Sequence, residues 1–273
     1  MSEAPTAETT LGRVRSYAFY LVVLAILAMG VVFTGELLTL LVVGFTGDGA
    51  AALGIHRLHV MAIAATVGTF LAAVAVQLYK PRQRRAAMLA ALGLIVIVSV
   101  ITITTGPPEI VQEVIPFLAL GILAAILHPS GRNLYRLGEE YSPLLLGLTV
   151  AAAIPLLAYA VSQFTLQGIG DQHAMFGHYG DMVSVSLGLI LLGAIASARI
   201  AGWRIVAWLT GLFAAYFGVL SVVFPAQTSS VGTMWGAAVV VWAVVFVAVA
   251  EYSRVASSSS LFHRPWSAGR RGA

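Results

Sequence analysis

The chain contains no cysteine. Disulfides, thiolate metal sites, iron–sulfur clusters and cysteine nucleophiles are therefore excluded. Charge is nearly as scarce. Asp, Glu, Lys and Arg make up 10% of the 273 residues, against about 25% in a soluble domain. The only lysine is Lys80, in a polar connection, so no lysine is available for a membrane-embedded Schiff base. No H-E-x-x-H signature, phosphate-cradling glycine loop after a strand, or Ser-His-Asp motif is recognisable.

Apolar sequence fills the space that charge leaves. The composition is 59% hydrophobic and the mean hydropathy is +0.93. Such a chain cannot cover a water-exposed surface with polar groups, so lipid is its expected solvent. A spanning helix needs about 20 mostly apolar residues. Eight segments meet that length: 16–43, 57–79, 85–105, 110–128, 142–166, 174–198, 203–224 and 231–252. Short connections make them one bundle of sequential neighbours. The fold class is an all-α integral membrane protein with eight transmembrane helices.

The charges give the topology. Of fifteen Lys and Arg residues, fourteen fall on one side of these segments and only Arg57 on the other. By the positive-inside rule that side is cytoplasmic, and both termini lie there. Residues 1–15 read as a cytoplasmic tail before a retained first helix. Residues 16–254 form the membrane domain, and 255–273 a flexible basic tail. The net charge of +4 is thereby assigned to loops beside the bilayer, with no nucleic-acid partner. A multi-pass protein of the cell membrane is expected. Its partners are lipid and, as an open alternative, a homo- or hetero-oligomer in the membrane.

Proline and glycine agree with these boundaries. Gly106-Pro107-Pro108 stops the third helix, Pro129 ends the fourth, Pro143 suits the first turn of the fifth, and Pro225 ends the seventh. Pro116 and Pro155 fall inside helices and are expected to kink them. An offset of 119 residues matches His59 with His178, Lys80 with Arg199, and Arg85 with Arg204. The chain can thus be read as two parallel four-helix repeats, 16–135 and 136–254.

Counting from the charged ends gives depth. Arg15 to Glu36, His59 to Lys80, and His178 to Arg199 each span 21 residues, or about 31 Å of helix. Glu36, His59 and His178 then share one level near the outer boundary, with Asp181 a turn deeper. His56 and His59 form an i,i+3 pair, as do His178 and Asp181. Arg57 and Glu113 lie near that level, and Tyr159, Gln163, Thr102 and Ser221 add polar groups. Arg57, the lone outward cation, is expected to pair with Glu36 or Asp181. His173, beside Asp171, is expected to be solvated. Gly177 and Gly180 are expected to allow close helix approach.

Three functional readings follow. In the first, the polar residues form a structural ring that fixes helix packing in a non-catalytic membrane or assembly subunit. In the second, His56, His59, His178 and Asp181 hold a divalent metal, or His59 and His178 bind a haem, with Glu36 and Arg57 in support. In the third, the residues relay protons in a proton-coupled transporter. Enzyme activity is left open by all three. The eight-span, duplicated architecture resembles that of heme A synthase in helix count and in the histidines on helices two and six. It departs from that family in placing His128 at the cytoplasmic end of helix four and in having no histidine on helix eight, so membership is not assigned.

Overall fold

The computed structural model describes residues 10–46, 53–138 and 140–262. Most of residues 1–15 and 255–273 assigned to tails, and part of the first connection, lie outside or at the margin of these segments. Eight long apolar helices dominate the described residues, which contain no strand. They are α1 (Thr10–Val43), α2 (Arg57–Ala75), α3 (Arg85–Thr105), α4 (Pro108–Leu127), α5 (Pro143–Leu166), α6 (His178–Ser197), α7 (Trp203–Val223) and α8 (Gly232–Phe262). Each is long and apolar enough to cross a membrane. The chain is a polytopic membrane protein.

Local chemistry sets the helix ends. Gly106 turns extended after α3, its N–H still bonded to the Thr102 carbonyl at 2.7 Å, and Pro108 opens α4. His128 leaves the helical region before Pro129, as the proline ring demands of its predecessor. Ser142 caps α5 by accepting from the Leu145 amide, with Pro143 in the first turn. Pro116 and Pro155 are carried inside α4 and α5. The sixth helix starts later than the apolar run at 174 suggests. Residues Gln172–Met175 form a separate helical turn, and Gly177 breaks the path with a φ of +76° before α6 begins.

Four helices make the centre. α2, α3, α6 and α7 pack on one another, while α1 and α4 flank one side and α5 and α8 the other. Within the most apolar stretch of each central helix, 50–67% of residues are buried, against 17–22% in the flanking helices. The flanking helices carry the exposed Leu, Val, Ile and aromatic side chains, the surface that lipid solvates. Neighbours in the first half (α1–α2, α2–α3, α3–α4, α1–α4) have counterparts in the second (α5–α6, α6–α7, α7–α8, α5–α8). Lys80 and Arg199, matched by the offset of 119, both adopt left-handed backbone.

The arginine-rich end is tied by backbone acceptors. Arg15 donates to the carbonyls of Ile126 and Leu127, which have no partner within α4. The start of α3 packs on the α6–α7 connection through Ala86 N–H to the Ala201 carbonyl, 3.0 Å. Arg204 and Trp208 of α7 both donate to the Glu251 carboxylate of α8. Trp235 and Trp242, seven apart on α8, line a cavity of about 470 Å³ against Pro155 and Tyr159 of α5. The Trp242 indole closes one side by donating to the Leu148 carbonyl.

α7 and α8 cross most closely at a glycine pair. A Cβ on Gly218 would lie 2.7 Å from the Gly236 carbonyl, and one on Gly236 would lie 2.7 Å from the Gly218 carbonyl. Backbone cannot yield as a side chain can. Gly218→Ala should destabilise the protein by about 1–3 kcal/mol, read as a lower melting temperature in detergent. His128 offers a pH test. It is fully buried behind α4, and its Nδ1 accepts from the Ser130 amide. Burial pushes its pKa down to about 4; the Pro81 backbone opposes this, and Arg15, Arg85 and Arg82 add repulsion. The unfolded imidazole titrates near 6.5 and so binds its proton first. Stability should therefore fall as pH drops from about 6.5 to 4, and His128→Asn should flatten that part of the melting curve against pH.

Candidate functional site: a four-histidine cluster

At the end of the bundle opposite the arginines, three short pieces of chain bring four imidazoles together. His56 ends the 3-10 turn Gly54–His56, and His59 follows one turn later in α2. His173 sits in the turn Gln172–Met175, and His178 is the first residue of α6. Ring centroids are 4.7 Å apart for His56–His173, 4.9 Å for His56–His178, 4.9 Å for His59–His173 and 5.2 Å for His59–His178. His59 and His178 stack with their planes 16° apart. Phe176 packs against His56 and His178, and Tyr179 against His59 and His173.

The loop before α6 is built to present two of these rings. Asp171 caps its helical turn by accepting from the Ala174 amide at 2.9 Å. The other carboxylate oxygen accepts from the Tyr179 hydroxyl at 2.8 Å. The Ala174 amide above all holds the Asp171 carboxyl below its usual range; the Tyr179 hydroxyl and His173 add to this against a smaller desolvation effect. Gln167 donates to the carbonyls of Ala174 and Thr105, tying the turn to α3. Gly177 then swings the chain into α6. A Cβ there would lie 2.9 Å from Gly106 Cα. Gly180 packs as tightly on Thr105. Both glycines serve close approach.

Hydrogen-bond partners fix which ring nitrogens carry a proton. Ser229 donates its hydroxyl hydrogen to Gln163 Oε1 at 2.5 Å. The same oxygen must then accept from His59 Nε2–H at 2.9 Å. His59 Nδ1 is left as a lone pair, buried and without a partner. His178 Nδ1 donates to Asp181 at 3.2 Å. His173 Nε2 donates to the Ile55 carbonyl at 3.3 Å, and its Nδ1 lies 3.6 Å from Asp171. His56 Nδ1 is also buried without a partner. Three rings thus have one nitrogen held by an acceptor, the pattern that orients metal-ligating histidines. Among the described residues, no three His, Asp or Glu side chains are already arranged to hold a metal ion.

The structure brings together His56, His59, His178 and Asp181 from the sequence candidates. It adds His173, which is 5% exposed where solvation was expected. The remaining polar contributors come from Ser229 in the α7–α8 connection and from α5, whose Tyr159 donates to the Ser229 carbonyl at 2.6 Å. Glu36 and Arg57 make their described contacts elsewhere. Glu36 is exposed on α1, with its backbone carbonyl accepting from Thr39. The Arg57 guanidinium lies over the Phe224 ring at 4.9 Å, while Asp181 is taken by His178. The Asp171 cap two residues before His173 was the available sign that this loop is ordered. Ser229 carried no comparable sign.

Gly177→Ala should cost about 1–3 kcal/mol, because the new methyl group meets backbone and L-residues resist a φ of +76°. Thermal unfolding in detergent reads the loss. Comparison with known family models, curated proteins and solved structures finds no match.

Proposed function

We propose that this polytopic membrane protein binds a transition-metal ion at the histidine cluster, on the outer side of the cell membrane. The carrying observation is the pair of buried, unpartnered Nδ1 atoms on His56 and His59, beside His178 with its carboxylate-oriented ring. A buried ring nitrogen kept from both water and protein partners is costly unless something engages it. Neutral imidazole nitrogens suit zinc, copper, iron and nickel. His56, His59 and His178 are the proposed ligands, with His173 and Asp181 as a further ligand and an orienting carboxylate. The orientation rests on the positive-inside rule: the arginine end lies in the cytoplasm with both termini.

The competing reading is a structural polar ring. That no three donors among the described residues are already arranged around an ion favours it. Metal titration separates the two. Purified protein stripped with a chelator should bind about one Co²⁺ or Zn²⁺ per chain, with a cobalt ligand-field spectrum and a raised melting temperature. His59→Ala and His56→Ala should each weaken binding by about tenfold or more, whereas His128→Ala should not. Folded protein that shows neither saturable binding nor a melting shift would overturn the proposal, and a Soret band would assign the site to haem. For orientation, a C-terminal tag should be protected in intact cells and exposed only after permeabilisation.

A further inference from the structure

The hollow between the flanking helices α5 and α8 is a second built feature. It has a volume of about 470 Å³ and reaches inward to Leu189 of α6 and to Ala214 and Phe217 of α7. Ala151 and Pro155 on α5 and Trp235 on α8 line it and are exposed, so it is entered from the lipid side. Val231 borders it at the histidine end, and Trp242 near the middle of the apolar stretch Gly232–Ser253. From Val231 to Trp242 the chain rises about 16 Å, close to half the hydrocarbon thickness of about 30 Å.

The space is particular to the second half of the chain. The offset of 119 sets Leu189 and Ala214 against Phe70 and Ile95, which are larger and buried. Bulkier side chains thus hold in the first half the positions that border the hollow in the second. Its walls carry four aromatic side chains, Tyr159, Phe217, Trp235 and Trp242, whose faces and edges suit a ring. One polar group stands among them. Pro155 lies inside α5 and has no N–H, so the Ala151 carbonyl one turn earlier lacks its usual helical donor. Tyr159 and Trp242 direct their own hydrogens elsewhere, to the Ser229 and Leu148 carbonyls. A carbonyl freed inside hydrocarbon is costly until a donor meets it.

We infer that this hollow binds a lipid-soluble molecule bearing a hydroxylated ring, which enters from the bilayer between α5 and α8. The ring lies against the tryptophans, and its hydroxyl donates to the Ala151 carbonyl. A saturated lipid chain would fill the same space but brings no donor for that carbonyl. An apolar, aromatic wall with one placed polar group is the pattern of small-molecule pockets, whose volumes run from about 300 to 1,000 Å³.

The test uses the full-length protein in phosphatidylcholine nanodiscs, with empty nanodiscs to subtract partition into lipid. Radiolabelled 4-dodecylphenol, its methyl ether and 1-octadecanol are each titrated to saturation. The ether keeps the ring and loses the donor; the linear alcohol keeps the donor and loses the ring. The phenol should saturate at about one per chain, and both controls should bind at least about fivefold more weakly. Pro155→Ala returns an N–H to the Ala151 carbonyl and should bring the phenol down to the affinity of the ether. Ala214→Ile narrows the hollow and should remove saturable phenol binding. Should that variant fail to fold, Ala238→Trp narrows it from the exposed wall and should do the same. Folded wild-type protein that holds no more phenol than empty nanodiscs overturns the inference, as does binding that the narrowing variants leave unchanged. Equal affinity for the phenol and either control also overturns it, and leaves a lipid chain as the occupant.

Discussion

Lipid offers polar atoms no hydrogen-bond partner, so those inside this bundle are driven to pair within the chain. That constraint organises the structure. Buried Thr66, Thr69, Thr149, Ser186, Ser197 and Thr210 turn their hydroxyls back onto carbonyls within their own helices. These residues are silent toward other helices for that reason, apart from the Thr149–Ser197 contact between α5 and α6. Polar groups that cannot close on their own helix gather at the two ends. One end collects imidazoles and their acceptors, and the other collects guanidiniums and helix-terminal carbonyls.

The eight helices were legible because lipid imposes one simple demand on sequence, an uninterrupted apolar length. Proline and glycine added the stops at Gly106, Pro129 and Pro143. The start of α6 was misplaced because residues 174–177 are apolar enough to continue a span, while the break depends on the backbone of Gly177. Depth counting grouped His59, His178 and Asp181, since helical rise is uniform. It could not see His173, whose position is set by loop geometry, or Ser229, which meets His59 from 170 residues away. The expected partners of Arg57 were Glu36 and Asp181; its guanidinium lies over the Phe224 ring, and Asp181 is bonded to His178.

The two halves share a helix pairing scheme but diverge in detail. The first half brings two histidines at the start of its second helix, and the second brings one on α6 plus one from the preceding turn. Between the flanking helices α5 and α8, the cavity beside Pro155 has the two tryptophans as its wall. Side-chain chemistry, more than helix arrangement, therefore separates the halves. The cluster draws on both, with His56 and His59 from one and His173 and His178 from the other, so it exists only where they meet.

The Ser229 hydroxyl has a single hydrogen and gives it to Gln163. The bond from His59 can consequently run in one direction only, from ring to hydroxyl to amide oxygen. Reversing it would require the serine to release Gln163, and the amide would then need to turn its nitrogen inward. Ser229 itself stands on left-handed backbone, with its carbonyl pinned by Tyr159. The chain from α2 through the last connection to α5 is thus a polarised wire with its sense already set. It leaves Nδ1 as the unpartnered nitrogen of His59.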